Sequence, residues 1–334
     1  MRLTSVIALA LGAAFAASTA GAAVAAEPSG KLVLYTSQLE PDAAQTVEAF
    51  NKRHPKVEVE WTRNGTSKLM NILRAQIAAG DLKPDILLVA DTINLGQLKK
   101  EGRLMAYPEA PVGPYDKVFY DADMTYFGTK VITTAIAYNT NLVKTAPTSW
   151  KDLLGADAKG LVAVPSPLYS GAALGTLHTF VQSDDPVLGW NFYEGLAKNG
   201  IVPQGGNGGA KNAVAGGQAK YGVIVDSIIM GAKADGSPID IAYPKEGVSG
   251  ITEPVAIMSN CKNVPAAQAF VDFLLSKEGQ ELVAKQHVMP ADPTVAPPAG
   301  YPKLSDIKIL PMDAGQAIDQ DKKVKARFSD IFGL

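Results

Sequence analysis

Two hydrophobic periods alternate along the chain. Short apolar or every-other-residue runs predict strands at residues 31–35 (KLVLY), 57–61 (VEVEW), 85–90 (DILLVA), 131–138 (VITTAIAY), 161–164, 221–225 (YGVIV) and 255–259. Between them, apolar residues recur three or four apart, the spacing of one face of a helix. This predicts helices over 42–54, where Ala44, Val47 and Phe50 share a side, over 68–79 ended by Gly80, and from Asp91-Thr92 to Lys100 before Gly102. Further helices are predicted over 151–154, 172–182 and 186–198, in a segment ending at 214–218, and over 266–286, with Phe270, Phe273, Leu274 and Leu282 inward. Residues 322–327 hold four positive charges and read as a solvated helix face. Strand and helix alternating in this way predict βαβ units and a mostly parallel sheet. In such sheets ligands lie in the loops at the carboxyl ends of the strands.

Residues 1–26 stand apart from this pattern. Arg2 precedes an apolar run at 7–17, and Ala23-Val24-Ala25 or Val24-Ala25-Ala26 places small residues before a cleavage point. The run is shorter than the roughly 20 residues a membrane span needs. It reads as a secretory signal peptide, so the mature chain is expected to be exported, unanchored and periplasmic. The full chain has 334 residues, 31 Lys+Arg and 33 Asp+Glu; losing Arg2 leaves 30 minus 33, a mature charge of −3. That balance excludes a dedicated nucleic-acid binder, which would carry a basic excess. A single cysteine, Cys261, excludes an internal disulfide framework and a cysteine-rich zinc site.

Enzyme signatures are absent from the sequence. There is no G-x-S-x-G elbow, no phosphate-binding G-x-x-x-x-G-K-[ST] loop and no H-E-x-x-H pair, and Gly206-Asn207-Gly208 lacks the third glycine of a dinucleotide fingerprint. His54, His178 and His287 are scattered. What recurs is small hydroxyl and glycine residues where a strand hands over to a helix: Thr36-Ser37, Gly65-Thr66-Ser67, Ser166, and Ser170-Gly171-Ala172. A helix N-terminus offers free N–H groups and a partial positive charge, which hold phosphate, phosphonate or carboxylate without a lysine. The same residues also serve as ordinary helix caps. Asp91 and Asp226 each follow an apolar strand, where a carboxylate either caps the next helix or meets a cationic group or a metal.

The order signal peptide, KLVLYTSQ, amphipathic helix, NGTSKLMNILRAQIAAGDLKPDILLVAD closely resembles type II periplasmic solute-binding proteins of ABC importers. The resemblance continues through GRLMAY, VITTAIAYNTNLV, PTSWKDLL, VAVPSPLYSGAAL and AVAGGQAKYGVIVDS, and closes with PVAIMSNCKNVPAAQAFVDFLLSKEGQELV. Within the superfamily it is most similar to the ferric-iron, sugar-phosphate and aminoethylphosphonate branch. The resemblance implies an α/β fold of two lobes, each a mostly parallel sheet flanked by helices, joined by crossing strands. Lobe 1 is expected over 27–130 plus 250–290, lobe 2 over 131–249, with a helical tail, 291–334, packed on both. The 131–139 segment would be the first crossing and the stretch before PVAIM the return.

The resemblance further implies a monomeric binding protein without catalysis, cofactor or resident metal, whose partners are an ABC permease and ATPase. Ferric-binding members carry paired tyrosines after the strand that here reads YGVIV, where this chain has Asp226-Ser227, and often a histidine where it has Thr36-Ser37-Gln38. The departure favours a small phosphonate or phosphate ester, with 2-aminoethylphosphonate the first candidate. On this reading Thr36, Ser37, Gly65, Thr66, Ser166, Ser170, Gly171 and Ala172 line the anion end. Asp91 or Asp226, with Glu253 as a further candidate, meets an ammonium. Tyr35, Tyr169 and Tyr221 either wall the cleft or belong to the core. Ferric iron and a secreted α/β enzyme remain the alternatives.

Overall fold

In a computed structural model the structure describes residues 27–334; the signal-peptide reading lies outside the described residues. The first half runs β1 (Gly30–Thr36), α1 (Glu40–Arg53), β2 (Val57–Arg63), α2 (Thr66–Ala79), β3 (Ile86–Leu88), α3 (Thr92–Lys100), β4 (Leu104–Met105) and the long β5 (Phe127–Asn139). Next come β6 (Val162–Ala163), α4 (Gly171–Val181), α5 (Gly189–Lys198), α6 (Asn207–Ala215), β7 (Tyr221–Val225), α7 (Asp226–Ala234) and β8 (Ile239–Ala242). The chain ends with β9 (Val248–Met258), α8 (Val264–Leu275), α9 (Lys277–Lys285), β10 (Met289–Pro290), β11 (Ile309–Leu310) and α10 (Ala314–Phe332).

The strands form one sheet in the order β2-β1-β3-β9-β5-β7-β6, with β4 and β11 on β9 and β8 and β10 on β5. β1 pairs parallel with β2 and β3, and β6 parallel with β7. The sheet is nevertheless mixed rather than mostly parallel, because β5 and β9 run antiparallel to each other and to β7 and β3 respectively. One end of this central pair lies beside β3, with Phe127 opposite Val255; the other lies beside β7, with Tyr138 opposite Tyr221.

Apolar side chains bury themselves in separate clusters on the two sides of this pair. Leu32, Leu34, Phe50, Ile86, Phe127, Phe270 and Phe273 form one, with Leu69, Leu73 and Leu98 behind the same strands. Trp150, Leu174, Phe180, Phe192 and Tyr193 form another, which α10 closes with Ala317, Val324 and Phe328. Burying one such large side chain contributes roughly 1.5–3 kcal/mol.

Two predicted elements come out differently. The single helix expected over 266–286 breaks between α8 and α9. Ser276 caps α9, accepting from the Gly279 N–H at 3.2 Å while its hydroxyl donates to the Phe273 carbonyl at 2.7 Å. The buried Gln280 then donates to the freed Leu274 carbonyl at 2.9 Å and to Thr129 O at 2.8 Å, tying the break to β5. The segment 322–327 is more than a solvated face: Val324 is buried, Arg327 lies 4.4 Å over the Trp190 ring, and Lys325 Nζ donates to Asp321 at 2.8 Å.

Candidate functional site

A cleft of about 440 Å³ opens where strand ends and helix starts from both sides of the central pair converge. That volume lies within the roughly 300–1,000 Å³ of small-molecule sites. Its wall is built from residues 37–42, Arg63, Gly65, Thr66 and Ala90 on one side and from 169–172, 206–209, Lys211, Asn212, Val225 and 227–228 on the other. Lys130, Ile132, Glu253 and Val288 also line it.

The helices α1, α2, α4, α6 and α7 all begin at this cleft. Four of them start from residues that cannot or do not cap: Leu39, Gly65, Gly206 and Val225 make no side-chain cap hydrogen bond. Only α4 is capped, by Ser170 Oγ, which accepts from Ala173 N–H at 3.3 Å. Away from the cleft the usage reverses: Asp91, Asn263, Ser276 and Asp313 cap α3, α8, α9 and α10, with α5 at Leu188 the exception. Missing caps leave the positive dipole ends of these helices at the cleft, although Ser67 N–H already donates to Tyr169 O and Ser227 N–H to Asp226 Oδ1, and Pro41 has no N–H to offer. Asn207 ties three of these helix starts together. Its Nδ2 donates to Ser170 Oγ at 3.1 Å, and its Oδ1 accepts from Val225 N–H at 3.0 Å.

Charges in the lining balance. Arg63, Lys130 and Lys211 face Glu40, Asp42 and Glu253. Lys130 Nζ stands 2.7 Å from Glu253 Oε2, each side chain only 5% exposed, as an ion pair out of hydrogen-bonding alignment. Burial pushes the Asp42 carboxyl up from its ordinary value; Lys130 partly opposes that rise and Glu253 adds to it. Arg63 Nε donates to the Gln38 carbonyl at 2.7 Å, while the buried Gln38 Oε1 has no partner.

Of the residues singled out in the sequence, Ser37, Gly65, Thr66, Ser170, Gly171, Ala172 and Glu253 line the cleft, as does Tyr169. Ser37 Oγ also accepts from Ala90 N–H at 2.9 Å, pinning β1 to the end of β3. Thr36, Asp91, Ser166 and Asp226 are not brought to the lining, because local backbone groups take their polar atoms. Thr36 Oγ1 accepts from Gln38 N–H and Ser166 Oγ from Leu168 N–H, both at 3.2 Å. Asp91 caps α3, accepting from Ile93 N–H at 2.7 Å and Asn94 N–H at 3.1 Å, with the Asn94 amide on its other oxygen. Asp226 lies buried behind the cleft at the start of α7, accepting from Ser227 N–H at 2.7 Å and Thr133 Oγ1 at 2.6 Å. Burial pushes its carboxyl up to about 6, against the hydrogen bond from Thr133. Tyr35 and Tyr221 belong to the core. Among the described residues, no group of three or more His, Cys, Asp or Glu is arranged to hold a metal ion, and no helix is long and apolar enough to cross a membrane.

Gln38, Asp42, Arg63, Lys130, Asn207 and Lys211 are lining residues that the sequence did not single out. Asn207 had a visible cue, a Gly-Asn-Gly-Gly run opening a helix without a capping hydroxyl. Lys130 had none, since it precedes a strand whose length shows only in the fold.

Residues 36–281 match the bacterial extracellular solute-binding proteins, and the chain belongs to that family. Its fold is the two-lobed type II fold of periplasmic binding proteins. A Haemophilus influenzae protein described as uncharacterized is 26% identical over 296 residues, 84% of this chain and 83% of that one. The periplasmic binding protein AfuA from Actinobacillus pleuropneumoniae, solved with exogenous fructose-6-phosphate bound, superposes with a TM-score of 0.83 at 22% identity, over 91% of this chain and 99% of its own. A ferric binding protein from Campylobacter jejuni superposes with a TM-score of 0.75 at 20% identity, over 90% of this chain and 99% of its own. At these identities the two structures establish the fold alone.

Proposed function

We propose that this protein is the periplasmic solute-capturing component of an ABC importer, and that its cargo is a small zwitterionic phosphonate or phosphate ester, with 2-aminoethylphosphonate the first candidate. The observation that carries this is the uncapped start of α1, α2, α6 and α7 at one cleft. Converging helix N-termini, with their positive dipole ends and the first-turn N–H groups that no side chain caps, favour an anion. Three carboxylates stand among the lining residues beside three cations, so a ligand carrying an ammonium as well as an anion finds partners for both charges. A phosphate-bearing ligand on this fold has a precedent in AfuA with fructose-6-phosphate.

The separate apolar clusters support lobes at 27–130 plus 250–290 and at 131–249, with α10 packed on both α3 and α5. On that division the structure is closed. Ser67 N–H donates to Tyr169 O at 3.1 Å and Ser67 Oγ to Pro167 O at 3.0 Å, lobe to lobe. A ligand touching both walls binds this state better than an open one and shifts the population toward it. The closed protein is then what a permease receives.

Calorimetric titration with 2-aminoethylphosphonate, inorganic phosphate, fructose-6-phosphate, spermidine and Fe(III)-citrate tests the reading. Micromolar or tighter binding of the aminophosphonate, with weaker binding of phosphate, is expected. Heat with iron or spermidine alone would overturn it.

A further inference from the structure

The central strand pair carries a charge arrangement that the anion end of the cleft does not use. Between Gly128 and Val131 the β5–β9 register shifts, which lifts Thr129 and Lys130 out of the ladder. The irregularity is held in place. Thr129 Oγ1 donates to Glu253 O at 2.7 Å, Thr252 Oγ1 donates to Lys130 O at 2.8 Å, and Gln280 Nε2 donates to Thr129 O at 2.8 Å. A Cβ on residue 128 would collide with Thr252 Oγ1, so glycine permits the approach. These bonds aim Lys130 and Glu253 into the cleft. Glu253 Oε2 is shielded from solvent and has no aligned donor, and Gln38 Oε1, also in the lining, is likewise buried and unpartnered. Asp42 lies close enough to feel the charges of both Lys130 and Glu253.

A buried ion pair retains its place only when its remaining lone pairs and protons are satisfied, and here Glu253 Oε2 touches the Lys130 ammonium without an aligned hydrogen bond. Resting on the proposed phosphonate reading, we infer that Glu253 is the ammonium-selecting residue and that Lys130 is its placeholder. Lys130 neutralises Glu253 in this structure. An arriving primary ammonium takes Glu253 with a correctly aligned hydrogen bond, and Lys130 turns to Asp42 and to the ligand's anionic end. Charge is conserved: one cation enters, and Asp42 gains the partner that Glu253 releases. A ligand with the anion but no amine finds Glu253 already occupied and gains nothing there. The strand pair therefore selects for the zwitterion, while the helix starts bind the anion common to all candidates.

The test compares 2-aminoethylphosphonate with ethylphosphonate, identical but for the amine, by calorimetry on the full mature chain. Wild type is expected to prefer the amine at least tenfold. Glu253→Gln should bring that ratio to near one while retaining ethylphosphonate binding. Lys130→Met should weaken both ligands yet keep the preference for the amine, because Glu253 remains. Should Glu253→Gln fail to fold by circular dichroism, Lys130→Met/Glu253→Gln removes both charges and is expected to show the same loss of discrimination. An amine preference that survives in the Glu253 variants, or that vanishes in Lys130→Met, overturns the inference and leaves the phosphonate reading standing. Failure of wild type to bind either compound overturns the phosphonate reading, and this subsite with it.

Discussion

Replacing Gly171 by alanine separates closure from folding. Gly171 opens α4, and a Cβ built there lies 2.5 Å from Ala90 O and 2.7 Å from Thr66 Oγ1, both across the cleft from it. Neither neighbour is the far end of a flexible side chain, so the walls must part by several tenths of an ångström. Overpacking of this kind costs about 1–3 kcal/mol. On the proposed lobe division that cost falls on the closed state alone, since opening removes the contact. At about 1.4 kcal/mol per tenfold, affinity for the ligand should fall about 5- to 150-fold. Thermal unfolding of the ligand-free protein should scarcely move. The assay pairs calorimetric titration with small-angle scattering, in which added ligand should shrink the radius of gyration of wild type more than that of the variant at the same ligand concentration. Gly113→Ala, where an added Cβ meets nothing within 4 Å, serves as the control. Unchanged affinity in Gly171→Ala, or a loss of melting temperature without a loss of affinity, would refute the reasoning.

Three further outcomes are expected. Asp226 is raised from 3.8 to about 6, so the folded state holds its proton more tightly than the unfolded chain. Its contribution is fully present below about 4 and is lost as pH rises through about 6, on the order of 3 kcal/mol by pH 7. Urea unfolding from pH 4 to 8 should therefore show wild type losing stability relative to Asp226→Asn, and parallel curves would contradict this. Asn207→Ala removes the link between α4, α6 and α7; an aminophosphonate should bind it roughly tenfold more weakly, from about 1–1.5 kcal/mol for the lost hydrogen bonds, and equal affinity would show that these helix starts need no tie. Burial alone would raise the Asp321 carboxyl, but hydrogen bonds from His178, Lys325 and Gln97 hold it below its ordinary value. Its stabilisation is present above about 4 and is lost as pH falls through the depressed value. Asp321→Ala should cost about 3 kcal/mol in urea unfolding at pH 7, and a loss below 1 kcal/mol would indicate that α10 is held by its apolar face alone.

How far the sequence reached depended on the range of the interactions involved. Strands such as Tyr221–Val225 and helices such as Thr66–Ala79 were legible because an apolar period and a terminal Gly80 are local properties. The break at Ser276 was not, because Phe270, Phe273 and Leu282 keep a helical rhythm across it; the reason for the break is Gln280 reaching Thr129, 151 residues away. At the site, glycine and hydroxyl residues before helices pointed to Gly65, Thr66 and 170–172. The same cue also selected Thr36 and Ser166, whose hydroxyls serve their own turns. Asp91 and Asp226 had equivalent positions after apolar strands, yet one is a helix cap and the other lies behind the wall. No one-dimensional pattern distinguishes a carboxylate that accepts from its own helix from one that faces a cleft. Lys130 and Glu253 meet only because β5 and β9, 123 positions apart at these residues, share an irregular register.

That arrangement also governs how the molecule comes into being. β3 obtains its second neighbour only when β9 arrives, with Leu88 opposite Val255. Until some 258 residues have been delivered, the sheet of the first half ends at a bare edge, and the cluster around Phe127 lacks Val255, Phe270 and Phe273. Such long-range closure makes folding slow, because the loop entropy is lost before the pairing rewards it. On the signal-peptide reading the chain crosses a membrane unfolded, and slowness of this kind is then protective: the sheet of the first half keeps an open edge until the last third has followed it across.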